Sequence, residues 1–131
     1  MIVPDASAIL EILLNTKAAP PLRDRILASD ESLHAPELLD LEVMQVIRRY
    51  LQTRDIALTR AEEALRDLAD LRLERYAHSI LLSRIWQLRE NFTAYDASYV
   101  CLAELLDATL ITTDARLASS ARKLVRVELF R

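Results

Sequence analysis

Glycine is absent from all 131 residues. Glycine is the usual residue where φ must be positive or where backbone must close on a phosphate. Its absence excludes the P-loop and the dinucleotide fingerprint. It also leaves left-handed turns to Asn15, Asp30, Asn91 and Asp107, since Asn and Asp tolerate that region best after glycine. One cysteine, Cys101, excludes an internal disulfide. It lies among Val100, Leu102 and Leu105 with no His beside it, and so reads as a small buried hydrophobe. His34 and His78 stand alone, without the Cys or His neighbours that a zinc site needs. No apolar run is long enough to cross a membrane. The apolar start is interrupted by Asp5 and Glu11 and follows no basic segment, unlike a secretion signal. A cytoplasmic protein is expected. With 17 Lys and Arg against 20 Asp and Glu, bulk electrostatic capture of nucleic acid is not expected, though a local basic rim is compatible with the count.

The remaining residues have the length and apolar content of one globular domain, 1–131. Short apolar runs at Met1–Pro4, Ser32–Ala35, Leu73–Ala77, Thr109–Thr112 and Leu124–Val127 read as strands. Helical patterns fill the intervals: Ala6–Leu14, a segment opened by Pro20-Pro21, Pro36 to about Thr53, Thr59–Leu71, Ser79–Glu90, Tyr95–Leu106 and Ala115–Ala121. Thr59-x-x-Glu62 has the form of a capping box. Strands alternating with helices predict an α/β fold, with a short parallel sheet of about four or five strands and helices on both faces.

Against this frame, four acids stand out: Asp5, Glu42, Asp96 and Asp114. Asp5, Asp96 and Asp114 each sit where a helix begins, and capping alone could account for any one of them. Glu42 has no such account. It lies mid-helix on a largely apolar face beside Leu38, Leu39 and Val46, where an unpaired charge is costly and calls for a partner, either a salt bridge to Arg48 or Arg49 or a metal. Ligands of open parallel sheets bind at the carboxyl ends of the strands, and Asp5 and Asp114 both follow predicted strands there. A convergent group of carboxylates suits a hard divalent cation, Mg²⁺ or Mn²⁺, able to polarise a phosphoryl oxygen. Thr112 and Ser7 are candidate supporting groups for that site.

These phrases resemble a known family. Val3-Pro4-Asp5-Ala6-Ser7-Ala8, Pro36-Glu37-Leu38-Leu39-x-x-Glu42-Val43, Tyr95-Asp96-Ala97-Ser98-Tyr99 and Leu110-Ile111-Thr112-Thr113-Asp114-x-Arg116 look like a PIN domain, and more narrowly like the VapC toxins of bacterial toxin–antitoxin pairs. The four phrases occur in the family's order and span nearly the whole chain. Asp107 is a departure, standing where the family usually has Gly at a helix end. The resemblance implies a PIN-like three-layer fold and a metal-dependent endoribonuclease that hydrolyses RNA phosphodiesters with Mg²⁺ or Mn²⁺. Carried over, Asp5, Glu42, Asp96 and Asp114 are its catalytic and metal-binding acids. It also implies a homodimer inhibited by a cognate VapB-type antitoxin. Arg89 and Arg116 are read as a rim for RNA phosphates. Leu22–Ala28 and Thr59–Leu71 are read as a clip for an antitoxin helix, and Trp86 as core or interface packing.

The rival readings are weaker. A catalytically silent PIN-fold module acting through partner or metal binding is disfavoured by acids at all four positions. A phosphorylatable receiver would need an acidic pair after the first strand, where Asp5 stands alone, and a Lys after a late strand, which Lys123 precedes. A haloacid-dehalogenase-like phosphatase lacks its second Asp two residues beyond Asp5, where Ser7 stands.

Overall fold

The computed structural model describes residues 1–28 and 30–131. Its described elements are β1 (Ile2–Pro4), α1 (Ala6–Leu13), α2 (Ala19–Ile26), β2 (Leu33–Pro36), α3 (Leu38–Gln52), α4 (Leu58–Asp70), β3 (Leu73–Tyr76), α5 (Leu82–Gln87), α6 (Ala94–Leu106), β4 (Thr109–Thr112), α7 (Ala115–Ala121) and β5 (Val127–Leu129). The five strands form one parallel sheet in the order β3-β2-β1-β4-β5. Every residue of β1 and β2 is buried, whereas the edge strands β3 and β5 are partly exposed. Strands covered on both faces need continuous apolar sequence, and edge strands do not.

The chain leaves β1 toward β2 and β3, then returns across the sheet to β4 and β5. Right-handed crossovers put the outward helices on one face and the returning helices on the other. Accordingly α1 packs against α2, α3 and α4, while α6 lies over β1, β2 and β4, and α7 over β4 and β5. Strand order therefore reverses between β1 and β4, where the connecting helices diverge and leave a crevice at the carboxyl edge.

Several boundaries differ from the sequence expectation, each for a local reason. Pro36 closes β2 in register with Tyr76 and does not open α3; having no N–H, it suits a strand end, and Glu37 supplies the next bond to Tyr76. α4 begins at Leu58, capped by Ala57 without a side-chain bond, so the Thr59–Glu62 capping box does not form. The helix expected over Ser79–Glu90 is a 3-10 turn at His78–Ile80 followed by α5, which ends at Gln87. β5 begins later than expected, because the Leu124 and Val125 N–H groups turn back onto the Ala121 carbonyl. Positive φ falls at Asn15 (51°) and Asp107 (51°) as expected, but also at Arg54 (63°), and not at Asn91. Arg54 follows the end of α3, where αL geometry lets Asp55 N–H reach the Tyr50 carbonyl.

Candidate active site

The register of β1 on β4 pairs Pro4 with Ile111, so Asp5 and Thr112 stand side by side as the two strands end. Asp5 N–H donates to the Ile111 carbonyl at 3.0 Å. The Asp5 side chain caps α1: Oδ1 accepts from Ala8 N–H at 3.0 Å and from the Ser7 hydroxyl at 2.6 Å. Oδ2 accepts from the fully buried Thr112 hydroxyl. Thr112 Oγ1 in turn accepts from Asp114 N–H at 3.0 Å, and Ser7 Oγ from Thr113 N–H at 3.0 Å. Ser7 and Thr112 thus bind the ends of β1 and β4 together and aim the Asp5 carboxylate between them.

Asp5 is 5% exposed. Burial pushes its pKa up to about 6; its three hydrogen bonds pull the other way, and the negative charge of Asp114 adds to the rise. Glu42 projects from the middle of α3, half-buried, and accepts a hydrogen bond from the Tyr99 hydroxyl at 2.6 Å. Burial raises its pKa, the Tyr99 bond lowers it, and Asp96 raises it. Asp96 lies in the first turn of α6, its N–H capped by Thr93 Oγ1 at 3.1 Å. Its pKa is raised by burial and by Asp114, and lowered by Arg116. Asp114 is exposed and caps α7, accepting from Arg116 and Leu117 N–H. Burial, the Glu42 bond and the charges of Glu42, Asp5 and Asp96 push the Tyr99 phenol far above its ordinary range, so it stays protonated.

The fold therefore brings the four acids into one electrostatic neighbourhood, graded from Asp5 at the floor to Asp114 at the mouth. Asp5, Asp96 and Asp114 lie at the N-termini of three helices, whose dipoles favour negative charge. None of the four belongs to an ion pair among the described residues. Elsewhere Asp40 pairs with Arg75 at 2.6 Å, Glu104 with Arg84 at 2.7 Å and Glu128 with Arg25 at 2.8 Å.

As the side chains stand, no group of three His, Cys, Asp or Glu among the described residues is set to hold one ion. Several of their oxygens serve the protein itself: those of Asp5 accept from Ser7, Ala8 and Thr112, Asp114 Oδ1 caps α7, and Glu42 Oε1 is held by Tyr99. The donor set nonetheless fits a hard cation. It is all oxygen, and its mutual repulsion is unrelieved by any paired base.

Asp96, Asp114 and Arg116 line a depression of about 250 Å³ together with Asn91, Thr93 and Ser120. A second opening of about 440 Å³, mostly apolar, carries Ser7 and Glu42 beside Leu10, Leu38, Leu41 and Tyr95. A larger hollow of about 740 Å³ lies at the amino end of the sheet, around Asp107 and Arg126, and contains none of the four acids. Arg116 thus stands at the mouth. Arg89 does not line the depression with it: its guanidinium stacks on Trp86, 4.6 Å from the ring centroid, and donates to the Trp86 carbonyl. Trp86 is 67% exposed and so is not core. α2 and α4, read as a clip, flank an opening of about 490 Å³ at their C-terminal ends, lined by Ile26, Leu27, Asp70 and Leu71. α2 and α4 turn Leu22, Ile26, Ala64 and Leu68 inward, and the apolar opening beside the acids lies between α1, α3 and the start of α6.

Sequence reasoning passed over Tyr99. Its signal was present: a polar-tipped aromatic three residues after Asp96, on the same helix face as that acid. His78 also has a definite task, since its Nε2 accepts from Leu38 N–H at 2.9 Å and satisfies the start of α3. Cys101 is buried, its thiol pushed up to about 11 chiefly by burial, in keeping with a packing role.

Residues 2–123 match the PIN domain family. The chain is 42% identical over 122 residues to Ribonuclease VapC9 of Mycobacterium tuberculosis, covering 93% of this chain and 92% of that one. It is 40% identical over 130 residues to Ribonuclease VapC1 of the same organism, covering 98% and 97%. Among solved structures, the crystal structure of PAE2754 from Pyrobaculum aerophilum superposes with a TM-score of 0.71 at 20% identity, over 95% of this chain and 82% of that one, a likeness of fold. Sequence and fold agree: the chain belongs to the PIN-domain family, among the VapC ribonucleases.

Proposed function

We propose that this chain is a metal-dependent endoribonuclease, the toxin of a VapBC-type toxin–antitoxin pair, and that Asp5, Glu42, Asp96 and Asp114 are its working acids. The observation that carries the reading is a concentration of four acids at the carboxyl edge of the sheet, none of them in an ion pair among the described residues and with Arg116 as the base beside them. Stability alone does not favour such a group, because like charges raise one another's pKa values and penalise the folded state. The four acids are the candidate holders of Mg²⁺ or Mn²⁺, which supplies Lewis acidity at a phosphoryl oxygen when bound.

The protein's own part follows from the contacts. Ser7 and Thr112 fix the Asp5 carboxylate at the floor, and the Ala8 N–H at the start of α1 steadies its charge. Tyr99 holds one oxygen of Glu42 and leaves the other free of that bond. Asp96 and Asp114 face the depression through which an RNA strand would enter, and Arg116 beside them suits a phosphate oxygen. Because the site is acidic, RNA reaches it only where a cation and Arg116 offset the repulsion.

A cognate VapB-type antitoxin and a homodimer complete the proposal, and a cytoplasmic location accompanies it. No helix among the described residues is long and apolar enough to cross a membrane. The test is cleavage of total RNA with and without Mg²⁺ or Mn²⁺, comparing wild type with Asp5→Asn. Metal-dependent scission lost in the folded variant supports the reading. Equal cleavage by both proteins, or none by a folded wild type with either metal, overturns it.

A further inference from the structure

We infer that Tyr99 is a positioning residue for the acid site: its hydroxyl orients the Glu42 carboxylate toward the other acids without cancelling its charge. The inference rests on the metal-site reading proposed above and deepens it.

Tyr99 is 2% exposed and is among the largest fully buried side chains. A hydroxyl so deep requires a partner, and Glu42 Oε1 at 2.6 Å is the partner it has. The bond joins α6 to α3, helices whose bonded residues stand 57 positions apart in the chain. Asp96 stands three residues before Tyr99 on α6, so one helix face supplies both an acid and the tether of another acid.

The chemistry of the donor is the central point. A half-buried Glu has three side-chain torsions, and ordering them costs conformational entropy. A Lys or Arg could order it, but its positive charge would neutralise the carboxylate and compete with any cation. Asp40, Glu104 and Glu128 are held in that manner by Arg75, Arg84 and Arg25. Tyr99 instead offers a neutral donor on a rigid ring whose own torsions are locked by packing. A hydroxyl bonded to an ionised acceptor at this distance belongs to the stronger class of hydrogen bonds. Glu42 is thereby aimed while its charge remains available. The rival account is structural: Glu42 would merely satisfy a buried hydroxyl.

The experiment measures Mn²⁺ binding to the full chain by electron paramagnetic resonance, with no RNA present, for wild type, Tyr99→Phe, Glu42→Gln and the double variant. Thermal melts establish that each is folded. Removing such an orienting group typically costs tenfold or more in metal affinity, so Tyr99→Phe is expected to bind Mn²⁺ roughly tenfold more weakly. In the Glu42→Gln background the same substitution should add almost nothing, because the tether acts through Glu42. Wild-type Mn²⁺ affinity in folded Tyr99→Phe overturns the inference, as do fully additive losses. If Tyr99→Phe does not fold, Glu42→Asp carries the same expectation, since it keeps the charge but withdraws it from the hydroxyl by one methylene. Asp5→Asn, measured alongside, separates the two levels. Wild-type affinity there removes the metal-site reading and this inference with it, whereas a loss in Asp5→Asn but not in Tyr99→Phe removes only the role of Tyr99.

Discussion

The two ends of the sheet treat acidic residues in opposite ways. At the amino end, acids meet cations. Glu31 pairs with the Met1 amino group at 3.1 Å and with Arg25 at 2.9 Å, and Asp107 pairs with Arg126 at 3.1 Å. At the carboxyl end, the carboxylates of Asp5, Glu42 and Asp114 have hydroxyls and backbone N–H groups for partners, and Asp96 belongs to no ion pair among the described residues. Hydroxyls and amides orient a carboxylate and leave its charge in place, whereas a salt bridge spends the charge. The contrast does not follow cavity size, since the larger hollow is at the amino end.

The sharpest way to break the contrast is to remove one charge from each end. Asp5→Asn at the carboxyl end should abolish metal-dependent RNA cleavage in a protein that keeps its fold, measured by gel assay and circular dichroism. Glu31→Gln at the other end should leave cleavage at the wild-type rate. Equal losses would mean that the two ends do not differ in function.

Proton linkage gives the next largest effect. The folded pKa of Asp5 lies above its ordinary value, so the metal-free folded state binds the extra proton between pH 3.8 and about 6. Stability therefore falls as pH rises through that window, by about 3 kcal/mol for Asp5 taken alone. Glu42 and Asp96 shift in the same direction and add to the loss. Melting in EDTA should show this decline toward neutral pH, and millimolar Mg²⁺ or Mn²⁺ at pH 7.5 should raise the melting temperature by mass action. A melting temperature indifferent to metal would show that the carboxylates hold none.

The arginines test the mouth of the site. Arg116→Ala should weaken RNA binding and reduce the slope of log affinity against log salt by about one. Arg89→Ala should leave that slope unchanged, because its guanidinium is stacked on Trp86 and lies outside the depression. Binding is best measured in the Asp5→Asn background, where the RNA stays intact. The smallest effect belongs to the amino end. Arg126→Ala breaks a pair whose side chains are 62% and 92% exposed, and should cost under about 1 kcal/mol in chemical denaturation.

Much of this molecule was legible in the chain. β4 and α7 have the boundaries that their apolar runs predict, and α6 differs by one residue. Asp107 takes the left-handed cap that a glycine would ordinarily fill. Where the reading failed, a tertiary partner overrode a local signal. Pro36 looks like a helix opener until β3 pairs with it, and the Thr59 capping box loses to a start at Leu58. Arg89 looks like a free cation near the site until Trp86 is seen beneath it.

The sequence by itself determined the elements, their parallel arrangement and the identity of the four acids. Strand and helix periodicities, capping residues and the sites of chain reversal are local properties, written over a few residues at a time. Only the tertiary structure decided that Thr112 donates to Asp5, that Tyr99 tethers Glu42, and that Arg116 faces the acids while Arg89 does not. Those facts depend on contacts between residues 57 and 107 positions apart in the first two cases. Long-range hydrogen bonds follow from strand register and helix crossing, and no local pattern records either.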